Sequence, residues 1–418
     1  MGKARPRLYV HTAALAAGML SLGIASPSAA QNAPDLPAST PPLDLAPAQS
    51  PPPTTPPPAP APAPAPAPTS TPAELVTVQV GTRVTLRIQN SDLTSRSKLN
   101  DVGSDGEADA VFWGQVHPFL KWQAGFLGSY GDPTASTTAA LLDLVAKVEI
   151  ADAFNLWIGR MPMPSDRASL STVWALPTWT LPGTYSNYPL TAPTASLPWP
   201  GPRYGANDRG DGVTFWGQVR GGRFRYYVGA FDLDQLATSP LYTARLNLSL
   251  LNPEPGYRSS SGYYGTKNVL SLGVGGQHRT GGSVPSSSSS ALPSDFNELN
   301  GDLLFEAGGS TVGVLDLEGE AAKVWGDNEI GSYQVMALAS YLVPIDIGIG
   351  RIQPLLRYQH AGAGKAEGAA AFTGIDAQLG YIIDGFNARL LAVYQYAKLQ
   401  GRTENAILFG LQLLSHAK

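Results

Sequence analysis

The chain has 418 residues, 43% of them hydrophobic and only 14% charged, against roughly 25% charged in ordinary soluble domains. With 45 Gly, 37 Pro and no Cys, and a mean hydropathy of -0.06, it is neither a disulfide-stapled domain, nor a thiolate metal protein, nor a bundle of apolar membrane helices. A formal charge of -4 gives no footing for nucleic-acid binding, whereas low charge with neutral hydropathy fits a transmembrane β-barrel, whose lipid-facing and lumen-facing residues cancel in any average.

The N-terminus carries Lys3, Arg5 and Arg7, an apolar run from Ala13 to Ile24, then Pro27 and the small residues Ser28, Ala29 and Ala30. That order is the one of a secretory signal peptide over 1–30, cleaved near Ala30. Residues 31–73 form a Pro/Ala-rich stretch, with strict Ala-Pro alternation from Ala59 to Pro68. It cannot bury a core and is expected to be a disordered periplasmic linker of polyproline type, with contact to peptidoglycan as one use for it.

From residue 74 to the end, the period becomes two. Val78, Val80, Val84, Leu86 and Ile88 alternate with Gln79, Arg83, Thr85, Arg87 and Gln89, the pattern of a strand between two different solvents. Strands are expected at 77–89, 108–117, 119–129, 139–151, 153–161, 211–220, 223–232, 240–251, 266–278, 296–307, 311–324, 330–342, 349–360, 370–383, 386–398 and 403–414. That makes an all-β, antiparallel transmembrane barrel of about 16 strands, with short periplasmic turns alternating with longer outer loops. Residues 252–265 are too long for this alternation. The acidic residues Asp101, Asp105, Glu107 and Asp109 are expected in a solvated loop rather than a calcium site. On the apolar faces, Trp122, Tyr226, Tyr333, Tyr341, Tyr358, Tyr381, Tyr394 and Tyr396 suggest interfacial girdles.

The longest connection, Pro162–Arg209, holds Trp174, Trp179, Tyr185, Tyr188, Trp199 and Tyr204 among many prolines. A loop this long in a compact fold is usually functional, and folding inward to narrow the lumen would bury its rings. The segment Leu156-Trp157-Ile158-Gly159-Arg160-Met161-Pro162-Met163-Pro164 leads into it, Arg209-Gly210-Asp211-Gly212-Val213-Thr214-Phe215-Trp216-Gly217 leads out, and Ala244-Arg245-Leu246 follows. These runs resemble the phosphate-selective porin O and P group and its wider relatives, over the barrel alone. The resemblance implies a trimeric, water-filled channel for small hydrophilic solutes or inorganic anions in a bacterial outer membrane, surrounded by lipid and lipopolysaccharide. The chain ends on Ser415-His416-Ala417-Lys418 without the terminal aromatic of such barrels, and lysines are scarce, so phosphate selectivity does not carry over.

Parity places Arg83, Arg87, Lys121, Lys147, Arg223, Arg225, Arg245, Arg351, Arg357 and Arg389 on the inward face, and Asp143, Glu149, Asp302, Glu306, Asp316, Glu318, Glu320 and Asp376 with them. Basic strands near the closure would face the Asp316, Glu318 and Glu320 acids across the barrel, a transverse field for aligning polar solutes. Arg160, Arg167, Arg203 and Arg209 belong to the constriction set on or beside the long loop. A preference for anions is the expected consequence. No catalytic signature, metal ligand set or cofactor motif is present: His117, His278 and His360 stand at turns or strand ends, without a paired nucleophile. The expected function is a passive diffusion porin. The alternative is a structural barrel anchored by its Pro-rich arm, and a lipid hydrolase is a weaker third reading.

Overall fold

In the computed structural model the chain divides into two units, Met1–Pro68 and Thr69–Lys418. The structure describes residues 76–91, 100–130, 138–182, 209–232, 239–280, 295–326, 331–364, 371–399 and 402–416. The expected signal peptide and Pro-rich arm lie outside the described residues, as do Tyr185, Tyr188, Trp199, Arg203 and Tyr204 of the long loop.

The first strands are β1 (Val76–Ser91), β2 (Asn100–His117), β3 (Leu120–Tyr130), β4 (Thr138–Ala151), β5 (Phe154–Pro162), β6 (Arg209–Val219), β7 (Phe224–Asp232), β8 (Leu241–Ser249) and β9 (Val269–Arg279). They are followed by β10 (Phe296–Gly309), β11 (Gly313–Gly326), β12 (Gly331–Leu342), β13 (Asp346–Ile347), β14 (Gly350–Ala363), β15 (Phe372–Asp384), β16 (Ala388–Leu399) and β17 (Arg402–His416). All pairings are antiparallel, and β1 pairs with both β2 and β17, so the sheet closes on itself. Closure satisfies every strand's backbone groups and leaves no edge, which is what a sheet in lipid requires. β13 is a two-residue bridge to β14 within a turn; the other sixteen strands make the wall.

The two faces are what the alternation predicts. Along β1, Val84, Leu86 and Ile88 are exposed outward, while Arg83 and Thr85 are buried within. The same outward row continues through Leu246, Leu299, Leu356, Leu379, Ile407 and Phe409. Tyrosines edge this apolar band at both ends. Toward the short turns, the hydroxyls of Tyr226, Tyr341 and Tyr381 reach the carbonyls of Ala153, Val312 and Ile347. Toward the long loops, Tyr333 meets His360 and Tyr394 donates to Asn405.

Three elements differ from the sequence expectation. β2 starts at Asn100, so Asp101, Asp105 and Glu107 are strand residues rather than loop, continuous with Asp109. Their outward neighbours Ser104, Gly106, Ala108 and Ala110 are small and leave no apolar stripe to read, and the wet interior tolerates the acids. In β4, a bulge opposite Gly125 and Phe126 shifts the register, so Leu142 is buried and Leu141 takes the exposed position. Finally, β8 ends at Ser249 and β9 begins at Val269, so residues 250–268 form a long connection at the end of the barrel that otherwise carries short turns.

Candidate functional site

The interior is defined by two inward folds that meet. The described part of the long loop, 163–182, crosses from β8 and β9 to β1, carrying one α-helical turn, α1 (Arg167–Leu170), and a 3-10 turn at Val173–Ala175. Asp166 caps α1 by accepting from the Ser169 backbone N–H at 2.8 Å. Room for the crossing comes from glycines on the inward parity. A Cβ on Gly275 would stand 2.0 Å from the Ser165 carbonyl, one on Gly81 would stand 2.9 Å from the Trp174 ring, and one on Gly410 would stand 2.8 Å from the Trp179 ring. Trp174 and Trp179 are buried, as an inward loop requires.

The second inward fold is the 250–268 connection, which enters from the opposite end. Tyr257 stacks on Trp157 at 4.3 Å between centroids and meets Trp216 edge-on at 5.6 Å. With Met161, Met163, Leu170, Tyr227, Phe231 and Phe296 they form an apolar core inside the barrel. Trp157 and Trp216 stand on the inward parity, where a wide pore would carry polar groups; nothing in their local pattern announces a partner arriving from residue 257. The Tyr257 hydroxyl donates to the Pro162 carbonyl at 2.8 Å. Burial pushes its ionisation above the ordinary tyrosine range, so it serves as a neutral donor.

Inward arginines hold the crossing loop. Arg389 donates to the Leu176 carbonyl at 2.7 Å, and Arg357 donates to the Thr180 carbonyl at 2.7 Å and the Thr180 hydroxyl at 2.8 Å. Arg83 donates to the Trp179 carbonyl and covers its indole at 4.0 Å. Carbonyls of a proline-rich loop have no regular ladder partner, and a buried carbonyl must find a donor. These three arginines are therefore anchors, all but sealed from water. Arg245 pairs with Asp302 at 2.5 Å, and Arg225 donates to the Gly256 and Arg258 carbonyls at 3.2 and 3.0 Å.

Two of the inward acids on β10 and β11 are engaged by the connection. Glu306 accepts from the Tyr263 and Gly265 N–H groups at 2.5 and 2.7 Å, and Glu318 accepts from the Ser261 hydroxyl at 3.0 Å. Asp316 and Glu320 are buried beside them. The expected transverse field is thus corrected: Arg245 pairs directly with Asp302 and Arg357 with Asp376, both at 2.5 Å, and loop backbone packs against the other inward arginines and acids. Among the described residues, no group of three or more His, Cys, Asp or Glu side chains is placed to hold a metal ion.

Other members of the expected set fall elsewhere. Arg160 has the outward parity of Phe154, Leu156 and Ile158 and pairs with Asp211 at 3.1 Å, because inward positions on β5 belong to Asn155, Trp157 and Met161. Arg223 sits exposed in the 220–223 turn, donating to the Leu250 carbonyl. Lys147 points inward but is buried between Gln123, at 2.8 Å, and the Trp157 ring, at 4.0 Å. Arg87 keeps its place in β1, and its side chain is outside the described residues.

Among the described residues, a cavity of about 740 Å³ lies beside the β1–β4 wall. Its lining runs from Leu127 and Leu181 at the loop end to Asp346 and Gly385 at the turn end. Charged groups along it are Glu107, Asp109, Asp143, Asp346 and Asp384 against Arg209, Arg258 and Arg351. Asp143 is the centre of this set. It accepts from Arg209 at 2.7 Å, from Arg258 at 2.6 Å and from Gln123 at 2.7 Å. Arg351, at the turn end, pairs with Asp346 at 2.8 Å.

No protein-family model and no curated protein matches this chain. Solved structures do match it. Pseudomonas putida OprB at high pH shares 11% identity over 82% of this chain and 94% of its own, with a TM-score of 0.55. The anion-selective porin of Comamonas acidovorans shares 13% over 81% and 99%, with a TM-score of 0.50. Salmonella typhi OmpF, in complex with daunomycin, shares 10% over 80% and 97%, also with a TM-score of 0.50. The chain has the fold of an outer-membrane porin. At these identities the likeness is one of fold alone and does not confirm the resemblance to the phosphate-selective group.

Proposed function

We propose that the protein is an outer-membrane porin that lets small hydrophilic solutes and ions diffuse passively along the β1–β4 wall. The observation that carries this reading is the cavity, lined by acids and arginines among apolar side chains, that extends from the loop end to the turn end of a closed barrel whose outer face is apolar. The constriction residues of the reading are Arg209, Arg258, Asp143, Glu107, Asp109 and Arg351. A homotrimer embedded in lipid and lipopolysaccharide, reached through an N-terminal signal peptide, completes it. Arg83, Arg357 and Arg389 are held by loop carbonyls, and Arg83 and Arg357 are also ion-paired, to Glu107 and Asp376. With Glu107 so paired, the lining keeps Asp109, Asp143, Asp346 and Asp384 against Arg209, Arg258 and Arg351, which favours weak cation preference over the anion preference that the inward arginines suggest.

Single-channel conductance of the refolded barrel in a planar bilayer under a salt gradient tests this. Steady ohmic steps with a reversal potential on the cation side are expected. Silence from demonstrably folded protein would overturn the diffusion reading.

A further inference from the structure

The 250–268 connection breaks the length rule of its end of the barrel, and its contacts say why. Arg167 of the long loop and Glu254 of the connection form a two-pronged ion pair, Nη1 to Oε1 at 2.9 Å and Nη2 to Oε2 at 2.7 Å. Both side chains are sealed, at 0% and 1% exposure. Arg167 also donates to the Ser260 carbonyl at 2.6 Å. The backbones pair beside this clasp: the Ser259 N–H donates to the Leu170 carbonyl at 3.2 Å and the Ser261 N–H to the Ala175 carbonyl at 3.1 Å. A loop from one end of the barrel and a turn from the other are thus joined by backbone hydrogen bonds inside the lumen.

We propose that these two segments act as one septum, and that the 250–268 connection is a size- and specificity-determining element of the pore, clasped to the long loop by Glu254 and Arg167. The inference rests on the diffusion reading and extends it. Three observations converge on it. Tyr257 fills the interior beside Trp157 and Trp216, closing the half of the barrel away from the cavity. Arg258, three residues before Ser261 in the same connection, reaches Asp143 and contributes a charge to the open passage. Ser260, Tyr263, Tyr264 and Thr266 of the connection form one side of that passage. On the β5–β10 side the long loop supplies Met163, Ser165 and Leu170 and the connection adds Tyr257 to the same packing, so removing the connection opens cross-section there.

The test compares three refolded chains in planar bilayers: wild type, a variant whose residues 253–265 are replaced by a short Gly/Asn turn, and Glu254→Gln. Folding is checked for each by resistance to unfolding on unheated gels. A rise in conductance of at least about twofold for the shortened turn, with passage of larger neutral polymers, is expected because conductance follows open cross-section. If the shortened chain does not fold, Glu254→Gln decides: a higher and noisier conductance is expected, as the clasp loses its ionic partner. Conductance and polymer cut-off equal to those of a conducting wild type, in a folded variant, would overturn the septum while leaving the diffusion reading in place. A silent wild type with a conducting shortened chain would support the septum as a full plug and overturn free diffusion. Silence from all folded chains would overturn both.

Discussion

The indole of Trp179 lies against Gly410 on the inner face of β17, where a side chain would displace it. A Cβ there would sit 2.8 Å from the ring, and the same tryptophan donates from Nε1 to the Thr85 hydroxyl at 3.2 Å. The glycine is a seat for the loop. Gly410→Val is expected to unseat Trp179, destabilise the folded barrel by about 1–3 kcal/mol through overpacking, and raise channel noise. Thermal unfolding on unheated gels, together with single-channel recording, checks it; an unchanged melting midpoint and a quiet trace would show that the loop rests elsewhere.

Arg357 and Arg389 hold the 176–180 carbonyls of the loop. If they are anchors, Arg357→Met and Arg389→Met will loosen the loop and raise open-channel noise while leaving the reversal potential close to that of wild type. A large swing toward cations on losing either charge would instead assign them to the conducting surface.

Asp143 is shared by Arg209 and Arg258. Asp143→Asn leaves two guanidinium groups facing the passage without their carboxylate, and loss of one partner of a buried pair costs about 3–5 kcal/mol. The expected outcome is a less stable barrel whose reversal potential moves toward anions. Measuring ion preference in a salt gradient before and after the substitution decides it, since movement the other way would place Asp143 outside the ion path.

Burial pushes the Glu254 carboxyl up, but the Arg167 charge, the Arg167 hydrogen bonds and Arg225 outweigh it and hold the group well below the usual carboxylate range. Tyr263, whose hydroxyl donates to the same carboxylate at 2.5 Å, stays protonated because burial raises its ionisation first and Glu254 raises it further. A depressed folded value means that the stabilisation is fully present above the unfolded carboxylate value and is lost only as pH falls through the lower folded one. The difference in melting temperature between wild type and Glu254→Gln is therefore expected to be flat between about pH 5 and pH 8 and to shrink only in stronger acid. A difference that already declines at neutral pH would contradict the ionised clasp.

The wall closes between β1 and β17, from Gln79 paired with His416 to Ser91 paired with Glu404, and both strands follow the Pro-rich stretch in the sequence. A chain lacking residues 31–73 is accordingly expected to insert and conduct as the full chain does. Lost conductance in a correctly folded truncation would give the arm a part in the channel.

Much of the barrel is legible in the sequence because each strand faces two solvents, and that difference is written locally in alternate residues. Sixteen wall strands, their turns and their outward faces follow from a period of two. The strand at 100–107 escaped because its outward residues are too small to make a stripe, and the lumen places no apolar demand on Asp105 or Glu107. The long loop's inward course was foreshadowed by Trp174 and Trp179, which water would not accommodate.

The use made of the charges was decided only by tertiary structure. Parity put Arg83, Arg357 and Arg389 inside, but whether an inward arginine meets water or a carbonyl depends on where residues 176–180 come to rest, far away in sequence. The excess length of 252–265 was visible, whereas its meeting with 170–175 was not, because hydrogen bonds between two irregular segments leave no periodic trace. Inward glycines at 81, 275 and 410 were the available signal. A side chain missing from a polar face marks space reserved for another part of the chain, and only the fold says which part arrives.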